Sequence, residues 1–267
     1  MKVVILSDIH ANFNALQKVL KIIDSSGYDM MIILGDILTY GVDIDQVIQT
    51  IGDRIKDNNT LLIRGNHDEI YDDIFDGNQS KYIESLPDWL RESVNFTVEK
   101  LDKSMWKNLN FLENHIQDGI FYGHANPFTG RNWSYLNNSS KLEEASKTLK
   151  EMGLKVGIFG HLHRILNSTF SEKNILKTNT FYSNSLSNKE INILNTGSVG
   201  QPRDKTTLKP SFLWLNVDSS NVNDLKKYKY QIEFFDYPLN EHLKSIQNSS
   251  MSLKTKEKLL SFFKFKK

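Results

Sequence analysis

The chain has 267 residues, with 33 lysines and arginines against 32 aspartates and glutamates, a formal net charge of +1 and no cysteine. The lack of cysteine excludes disulfides, thiolate metal sites and a cysteine nucleophile, so a metal ion would have to be held by His, Asp, Glu or Asn. A near-neutral charge gives no overall field that would predict a stable nucleic-acid partner. The 39% hydrophobic content excludes a disordered chain and predicts a sizeable core.

Apolar stretches along the chain are short. The run that follows Lys2 is too short for a signal peptide, and no stretch approaches the ~20 apolar residues that a membrane span needs. We therefore expect no membrane span and predict a cytoplasmic protein, a location with which the missing cysteines agree.

Apolar runs alternate with segments of helical periodicity in the first part of the chain. We predict strands at residues 3–6, 30–34 and 60–63, and helices between them from apolar residues spaced three or four apart. Strands joined by crossover helices are typical of an α/β fold. Two β-α-β units are therefore predicted within the first 63 residues.

The remainder of the chain departs from this rhythm. Residues 69–118 have helical spacing without a convincing strand, and we interpret them as a helical insertion or cap within one domain that spans residues 1–267. Further strands are predicted at residues 120–122, 156–159, 191–194, 211–217 and 228–237, with a helix at 142–152 and a turn at 218–221. Residues 167–188 are rich in Asn, Ser and Thr and predict a surface hairpin or loop.

The C-terminal segment is basic and carries regularly spaced apolar residues. Residues 254–267 contain six lysines and one glutamate, interleaved with leucine and phenylalanine. Such a pattern could bind an anionic surface. We favour a C-terminal amphipathic helix over residues 250–267 that packs its apolar face on the domain.

Side chains of metal-binding type follow the predicted strands, at the point where each strand ends. They are Asp8 and His10, Asp36, Asn66 with His67 and Asp68, His124, and His161 with His163. Open α/β sheets bind their ligands at this edge. Two metal ions close together require a shared carboxylate and several nitrogen or oxygen ligands from different loops. The sequence therefore predicts a two-metal site, to which these five loops would supply seven ligands.

Five short motifs occur in a fixed order along the chain. They are Ser7-Asp8-Ile9-His10, Gly35-Asp36, Gly65-Asn66-His67-Asp68, Gly123-His124 and Gly160-His161-Leu162-His163. With these motifs the chain resembles the calcineurin-like metallophosphoesterases, and residues 195–204 are similar to the bacterial and archaeal phosphodiesterase-type branch. The resemblance implies a mixed α/β fold, a four-layer αββα sandwich with a helical cap insertion.

The resemblance also implies a role for each matching residue. One metal ion would be held by Asp8, His10, Asp36 and His163, and the second by Asp36, Asn66, His124 and His161. Four of these seven ligands are imidazoles and only two are carboxylates, which favours Mn²⁺, Fe or Zn²⁺ over Mg²⁺ or Ca²⁺. We therefore expect two metal ions, with Mn²⁺ as the first choice and Fe or Zn²⁺ as alternatives. A hydroxide between the two ions would attack phosphorus while the ions neutralise charge on the phosphoryl oxygens. His67 would then protonate the leaving oxygen, and Asp68 would orient the His67 imidazole or raise its pKa. Structural roles are the alternatives for both residues.

One departure from the family bears on the substrate. The Ser/Thr phosphoprotein phosphatase branch has Gly-Asp-x-x-Asp-Arg-Gly, in which the arginine binds phosphate, whereas this chain has Tyr40 at the arginine position. We therefore predict hydrolysis of a phosphodiester or phosphoanhydride bond in a nucleotide-like small molecule. The alternatives are a phosphomonoesterase or protein phosphatase and, from another class, a non-catalytic metal-binding scaffold. The scaffold is disfavoured because all seven ligands and His67 are present.

Four further residues are candidates for substrate contact. Arg131 and Arg203 could bind phosphate or a nucleotide, because the guanidinium fork matches phosphate oxygens, with a structural role as the alternative for each. Trp133 and Tyr135 follow His124 and could stack on a base, with a core position as the alternative. Ala11 stands where many relatives have glycine, which raises the question of local backbone geometry.

Overall fold

The computed structural model describes residues 1–78, 81–171, 176–179, 182–186, 190–204, 207–218 and 228–264. Most of the turn predicted at 218–221, parts of the predicted loop at 167–188 and the end of the C-terminal tail lie outside these residues. None of the helices in the described ranges has the length and apolar composition that a membrane span requires.

Strands and helices alternate in the first half of the chain and strands dominate the second. In chain order the strands are β1 (Lys2–Leu6), β2 (Met30–Ile33), β3 (Thr60–Leu62), β4 (His115–Gln117), β5 (Ile120–Tyr122), β6 (Val156–Phe159), β7 (Ile165–Phe170), β8 (Leu176–Asn179), β9 (Ser183–Ser185), β10 (Ile191–Thr196), β11 (Ser211–Asn216) and β12 (Lys229–Phe234). The helices are α1 (Phe13–Ser26), α2 (Ile44–Arg54), α3 (Asn66–Phe75), α4 (Lys81–Ser85), α5 (Asp88–Lys100), α6 (Lys103–Lys107), α7 (Ser139–Glu151), α8 (Leu239–Asn248) and α9 (Leu253–Ser261).

The strands form two mixed sheets of six strands each. The first has the order β3-β2-β1-β11-β12-β9, with β1, β2 and β3 parallel. The second has the order β4-β5-β6-β10-β7-β8, with β5, β6 and β10 parallel. In both sheets the parallel strands end at the same edge, and the loops that follow them share that edge.

Three apolar clusters show how the layers pack. The faces of the two sheets that meet bury residues such as Ile5 and Leu213 from the first sheet and Ile158 from the second. Helices including α1, α2 and α5 cover the outer face of the first sheet, while α7 covers the outer face of the second through Leu142 and Leu149. The predicted four-layer αββα arrangement and the α/β fold class are therefore confirmed.

One segment differs from the sequence expectation and a second agrees with it. Residues 69–118 contain most of α3, all of α4, α5 and α6, and also the strand β4, where no strand was expected. β4 has three residues at the sheet edge and pairs with β5, so it is too short to show strand periodicity in the sequence. Within residues 167–188, β7 and β8 form an antiparallel hairpin, one of the two structures anticipated there.

Candidate metal centre

The nine candidate site residues lie together and buried at the shared edge of the two sheets. Asp8 and His10 follow β1, Asp36 follows β2, Asn66, His67 and Asp68 open α3 after β3, His124 follows β5, and His161 and His163 follow β6. Each of these side chains is at most 6% exposed. The loops that follow five parallel strands thus bury nine polar side chains. Burial of polar groups costs free energy unless they form hydrogen bonds, ion pairs or metal bonds.

The backbone of these loops is held in an unfavourable conformation. Five of the seven predicted ligands, namely Asp8, His10, Asp36, His161 and His163, have positive φ angles between 49° and 65°. Residues other than glycine rarely adopt this left-handed region, and such strain concentrates at functional sites. Ala11 also has a positive φ, which accounts for a preference for glycine at that position.

A first group of possible ligand atoms comes from Asp8, His10, Asp36 and His163, which lie within 4.8 Å of one another. The Nε2 atoms of His10 and His163 are 3.1 Å apart, and Asp8 Oδ1 is 3.2 Å from His163 Nε2. These atoms converge on one point between the loops that follow β1, β2 and β6.

A second group comes from Asp36, His124 and His161, again within 4.8 Å. Asp36 Oδ2 and Asn66 Oδ1 each lie 3.2 Å from His124 Nε2. His161 Nε2 donates a hydrogen bond to the carbonyl of Trp133 at 3.0 Å, so His161 turns its Nδ1 lone pair toward the group. Asp36 is the one residue common to both groups.

Backbone carbonyls determine the tautomers of three of these histidines. The Nδ1 atoms of His10, His124 and His163 lie 2.9, 2.7 and 2.7 Å from carbonyl oxygens. The carbonyls belong to Leu38, Leu34 and Gln201, respectively. Because a carbonyl only accepts, a neutral ring must carry its proton on Nδ1 and present the Nε2 lone pair to the group. This is the arrangement in which histidines bind metals.

The unpaired acceptors in the two groups match the requirements of cations. Asp8 Oδ1 and Asp36 Oδ2 are buried and have no hydrogen-bond partner among the residues that the structure describes. The Nε2 lone pairs of His10 and His163 face each other at 3.1 Å. Buried acceptors that face one another repel unless a positive charge lies between them. The donor atoms therefore fit divalent ions.

In the metal-free chain, the pKa shifts of Asp8, Asp36, His10 and His161 favour the protonation states that metal ligands need. Burial opposes the ionisation of Asp8 and Asp36, but neighbouring histidines, chiefly His163 for Asp8 and His124 for Asp36, hold both pKa values below the ordinary range. Burial lowers the pKa of His10 and lowers that of His161 to about 3, so both rings are neutral. Two carboxylates and neutral imidazoles are the forms that bind metals.

His67 lies beside the two groups without belonging to either. Its backbone amide donates to Asp36 Oδ1 at 2.8 Å, and its Nε2 lies 2.9 Å from the hydroxyl of Tyr40. Burial lowers the pKa of His67 to about 4, and the charge of Arg203 acts in the same direction. The side chain is thus fixed at the edge of the cluster, in the neutral form, with its ring directed by Tyr40.

Asp68 forms no hydrogen bond with the His67 ring, which was its expected partner. Its Oδ2 accepts hydrogen bonds from the backbone amides of Gly65 at 2.8 Å and Asp36 at 2.7 Å, and its Oδ1 accepts one from Ile37 at 3.0 Å. A Cβ at Gly65 would overlap Asp36, so the two loops approach closely at this point. The geometry favours the structural alternative: Asp68 ties the loop after β3 to the loop after β2.

Replacing Asp68 with asparagine is expected to destabilise the fold. One carboxylate oxygen becomes an amide that faces an N–H donor, so we expect a loss of about 2–3 kcal/mol in the free energy of unfolding. Urea unfolding of the metal-free protein measures it, with exposed Asp45→Asn as a control expected to change little. A catalytic role for Asp68 would instead show as lost turnover at unchanged stability.

The aromatic and basic candidates near His124 have structural partners. Arg131 forms ion pairs with Glu69 and Asp73, each at 2.8 Å, and Trp133 Nε1 donates to Glu69 at 2.7 Å. These contacts hold the Trp133 carbonyl against His161. The ring of Tyr135 stacks on His161 with 4.0 Å between centroids. These contacts position His161.

Some contributors to the site carried no signal in the sequence. The carbonyls of Leu38, Gln201 and Trp133 orient histidines, but any residue type supplies a carbonyl. Tyr40 was noted as a departure from a motif, yet its contact with His67 depends on the turn between β2 and α2. A tyrosine next to a metal-binding motif is the one hint that was available.

Comparison with known proteins agrees with this architecture. Residues 1–164 match the model of the calcineurin-like phosphoesterase family. An uncharacterized protein, MJ0912 of Methanocaldococcus jannaschii, is 26% identical over 249 residues that cover 91% of each chain.

Two solved structures share the fold over nearly the whole chain. A metallophosphoesterase from Sphaerobacter thermophilus superimposes with a TM-score of 0.73 at 21% identity, covering 98% of this chain and 100% of that one. The hypothetical protein PH1004 from Pyrococcus horikoshii OT3 gives a TM-score of 0.72 at 20% identity, covering 97% of both chains. Since the family model matches more than half of the residues, the chain belongs to the calcineurin-like phosphoesterase family.

Proposed function

We propose that the chain hydrolyses phosphodiester or phosphoanhydride bonds of a small, nucleotide-like substrate with the help of two metal ions. The observation that carries the proposal is the pair of buried groups of possible ligands that share Asp36. Two ions that share a carboxylate suit attack on a phosphoryl group, because one site can orient both the attacking and the leaving oxygen.

Each ion would have four ligands. Asp8, His10, Asp36 and His163 would hold the first, and Asp36, Asn66, His124 and His161 the second. When bound, the ions would lower the pKa of water and neutralise charge on the phosphoryl oxygens. The excess of imidazole over carboxylate supports Mn²⁺, with Fe or Zn²⁺ as alternatives.

We assign the protonation of the leaving oxygen to His67. Its amide bond to Asp36 and its contact with Tyr40 keep the ring beside the proposed ions. A bound phosphoryl group would place negative charge near the ring, which favours the protonated imidazole and raises a pKa that burial holds near 4. The Tyr40 hydroxyl would direct Nε2 until the substrate replaces it.

The preference for diesters rests on the sequence around Asp36. Tyr40 occupies the position at which the protein phosphatase branch has an arginine.

We further propose that residues 69–118 act as a cap within a single cytoplasmic domain of residues 1–267 and shape access to the site. Trp89 of α5 supports this, because its ring stacks on Tyr40 with 6.1 Å between centroids.

The proposal is tested by stripping the protein of metal, adding Mn²⁺ and comparing a nitrophenyl phosphodiester with the matching monoester. We expect metal-dependent turnover that favours the diester. His67→Ala should lower kcat by about 10- to 100-fold, toward the low end for general-acid catalysis because nitrophenolate needs little protonation. His115→Ala is the control, since His115 lies in β4 outside the cluster.

Two results would contradict the proposal. A preference for the monoester would favour the phosphomonoesterase or protein phosphatase alternative. No turnover of either ester by protein that retains two ions would favour the non-catalytic scaffold.

A further inference from the structure

Arg203 is a half-buried arginine beside the cluster. Four of the other five arginines form ion pairs: Arg54, Arg64, Arg91 and Arg131. Among the residues that the structure describes, no acidic side chain forms an ion pair with Arg203. Its guanidinium therefore keeps its charge available for an anion from outside the chain.

The loop after β10 fixes Arg203 next to a proposed metal ligand. The backbone amide of Arg203 donates to the carbonyl of His163 at 2.8 Å, and the carbonyl of Gln201 accepts from His163 Nδ1 at 2.7 Å. Nε and Nη2 of Arg203 donate to Gln201 Oε1, at 3.1 and 2.5 Å. The same short segment thus orients both the imidazole and the guanidinium.

Two aromatic rings hold the guanidinium in place. Its Cζ lies 5.5 Å from the ring centroid of Tyr40 and 5.1 Å from that of Phe262, the residue that follows α9. Tyr40 in turn contacts His67 and packs on His10 with 4.6 Å between centroids. One tyrosine ring therefore contacts both the guanidinium and two histidines of the site. The pKa values of His67 and His163, both lowered in part by the charge of Arg203, are consistent with this proximity.

We propose that Arg203 binds a phosphoryl oxygen of the substrate and that Phe262 is a positioning residue that aims its guanidinium. The inference rests on the proposed function of the same site. A planar guanidinium matches phosphate geometry, and its partners here, an amide and two aromatic rings, orient it without neutralising it. The protein phosphatase branch has its phosphate-binding arginine in the turn after β2, where this chain has Tyr40. Here Arg203, in the loop after β10, would supply that positive charge.

The test uses full-length, Mn²⁺-loaded protein and two independent readouts, phosphodiester kinetics and calorimetric binding of inorganic phosphate. We expect Arg203→Gln to raise both KM and the Kd for phosphate by about 10- to 100-fold, the range for one charge-assisted hydrogen bond. Metal content should stay at that of the wild type. Arg203→Lys should rescue part of the affinity, because it restores the charge but not the planar fork.

Two further variants complete the design. Phe262→Leu preserves bulk but removes the aromatic face, and we expect a smaller rise in both constants, about threefold. Arg54→Gln is the control and should leave them unchanged, because Arg54 ends α2 and pairs with Asp24. If Arg203→Gln does not fold, Arg203→Lys and Phe262→Leu decide in its place.

Unchanged phosphate affinity in the Arg203 variants would overturn the inference. Loss of the metal ions from these variants would also overturn it, because it would show that Arg203 only supports His163. Phosphate binding that depends on Arg203 in a protein that hydrolyses neither ester would support the inference and reject the proposed function. The failure of one is therefore distinguishable from the failure of the other.

Discussion

Replacing Asp36 with asparagine is expected to reduce bound metal from about two ions to at most about one and to lower kcat at least roughly 1,000-fold, because the ions supply several kcal/mol of charge stabilisation. Asparagine has nearly the same shape, and its Oδ1 can still accept the amide of His67. The change removes the charge at Oδ2, which lies 3.2 Å from His124 and 3.8 Å from His10. Metal analysis together with diester turnover measures both effects.

The matched control is Asp72→Asn. Asp72 is also a partly buried carboxylate, but it pairs with Arg64 and Trp106 at 2.8 Å each and lies outside both groups of ligand atoms. Its variant should lose stability and keep its metal ions. If Asp36→Asn retained two ions and turned over within about tenfold of the wild type, Asp36 would not be the shared ligand.

The affinity for metal is expected to rise about 100-fold between pH 6.5 and 8.5. Burial acts to lower the pKa of His124, but the attraction of the Asp36 carboxylate outweighs it and raises the pKa to about 9 in the metal-free chain. The ring is therefore protonated at neutral pH and must release that proton to bind an ion. Since the proton competes below pH 9, affinity should increase about tenfold for each pH unit.

Calorimetry with Mn²⁺ under anaerobic conditions, in buffers of different ionisation enthalpy, measures both the affinity and the proton released. His124→Gln should lose the pH dependence together with part of the affinity. His115→Gln, in β4, should keep it. An affinity that stays constant or falls as the pH rises would refute the assignment of His124 as a protonated ligand.

The protonation of His124 also makes the stability of the metal-free chain depend on pH. A pKa raised from 6.5 to about 9 means that protonated His124 stabilises the fold fully below about pH 6.5. That contribution is lost as the pH rises through 9. Asp36, whose pKa is lowered, contributes in the opposite direction, above its ordinary value of 3.8, and loses the contribution in acid.

Much of the site could be predicted because its chemistry is local in the sequence. Asp8 and His10, or His161 and His163, follow a strand directly, and parallel strands bring their final residues to one edge. The buried strands β1, β2, β5 and β6 were recognisable by the same logic, since apolar runs mark them. The α/β class and the convergence of the histidines follow from these features, whereas the four-layer arrangement was implied by the resemblance to the metallophosphoesterases.

Other features depend on contacts between distant segments. Asp68 was expected to act on its neighbour His67, but its carboxylate bonds to the amides of Asp36 and Ile37, more than thirty residues earlier. β4 was not predicted, because it lies in a segment of helical spacing. Pairing with β5 stabilises it, and its own residues show no strand periodicity. Such pairings leave no pattern in the residues themselves.

By itself, the sequence determined which side chains are available as ligands, the strands they follow and the family to which the chain belongs. Only the tertiary structure decided that Asp36 is common to both groups of ligand atoms, that Tyr40 faces His67, and that Arg203 lies between Tyr40 and Phe262. The physical reason is that residue type sets what a side chain can bind, whereas burial and the orientation of neighbouring carbonyls, rings and charges arise when remote segments pack together.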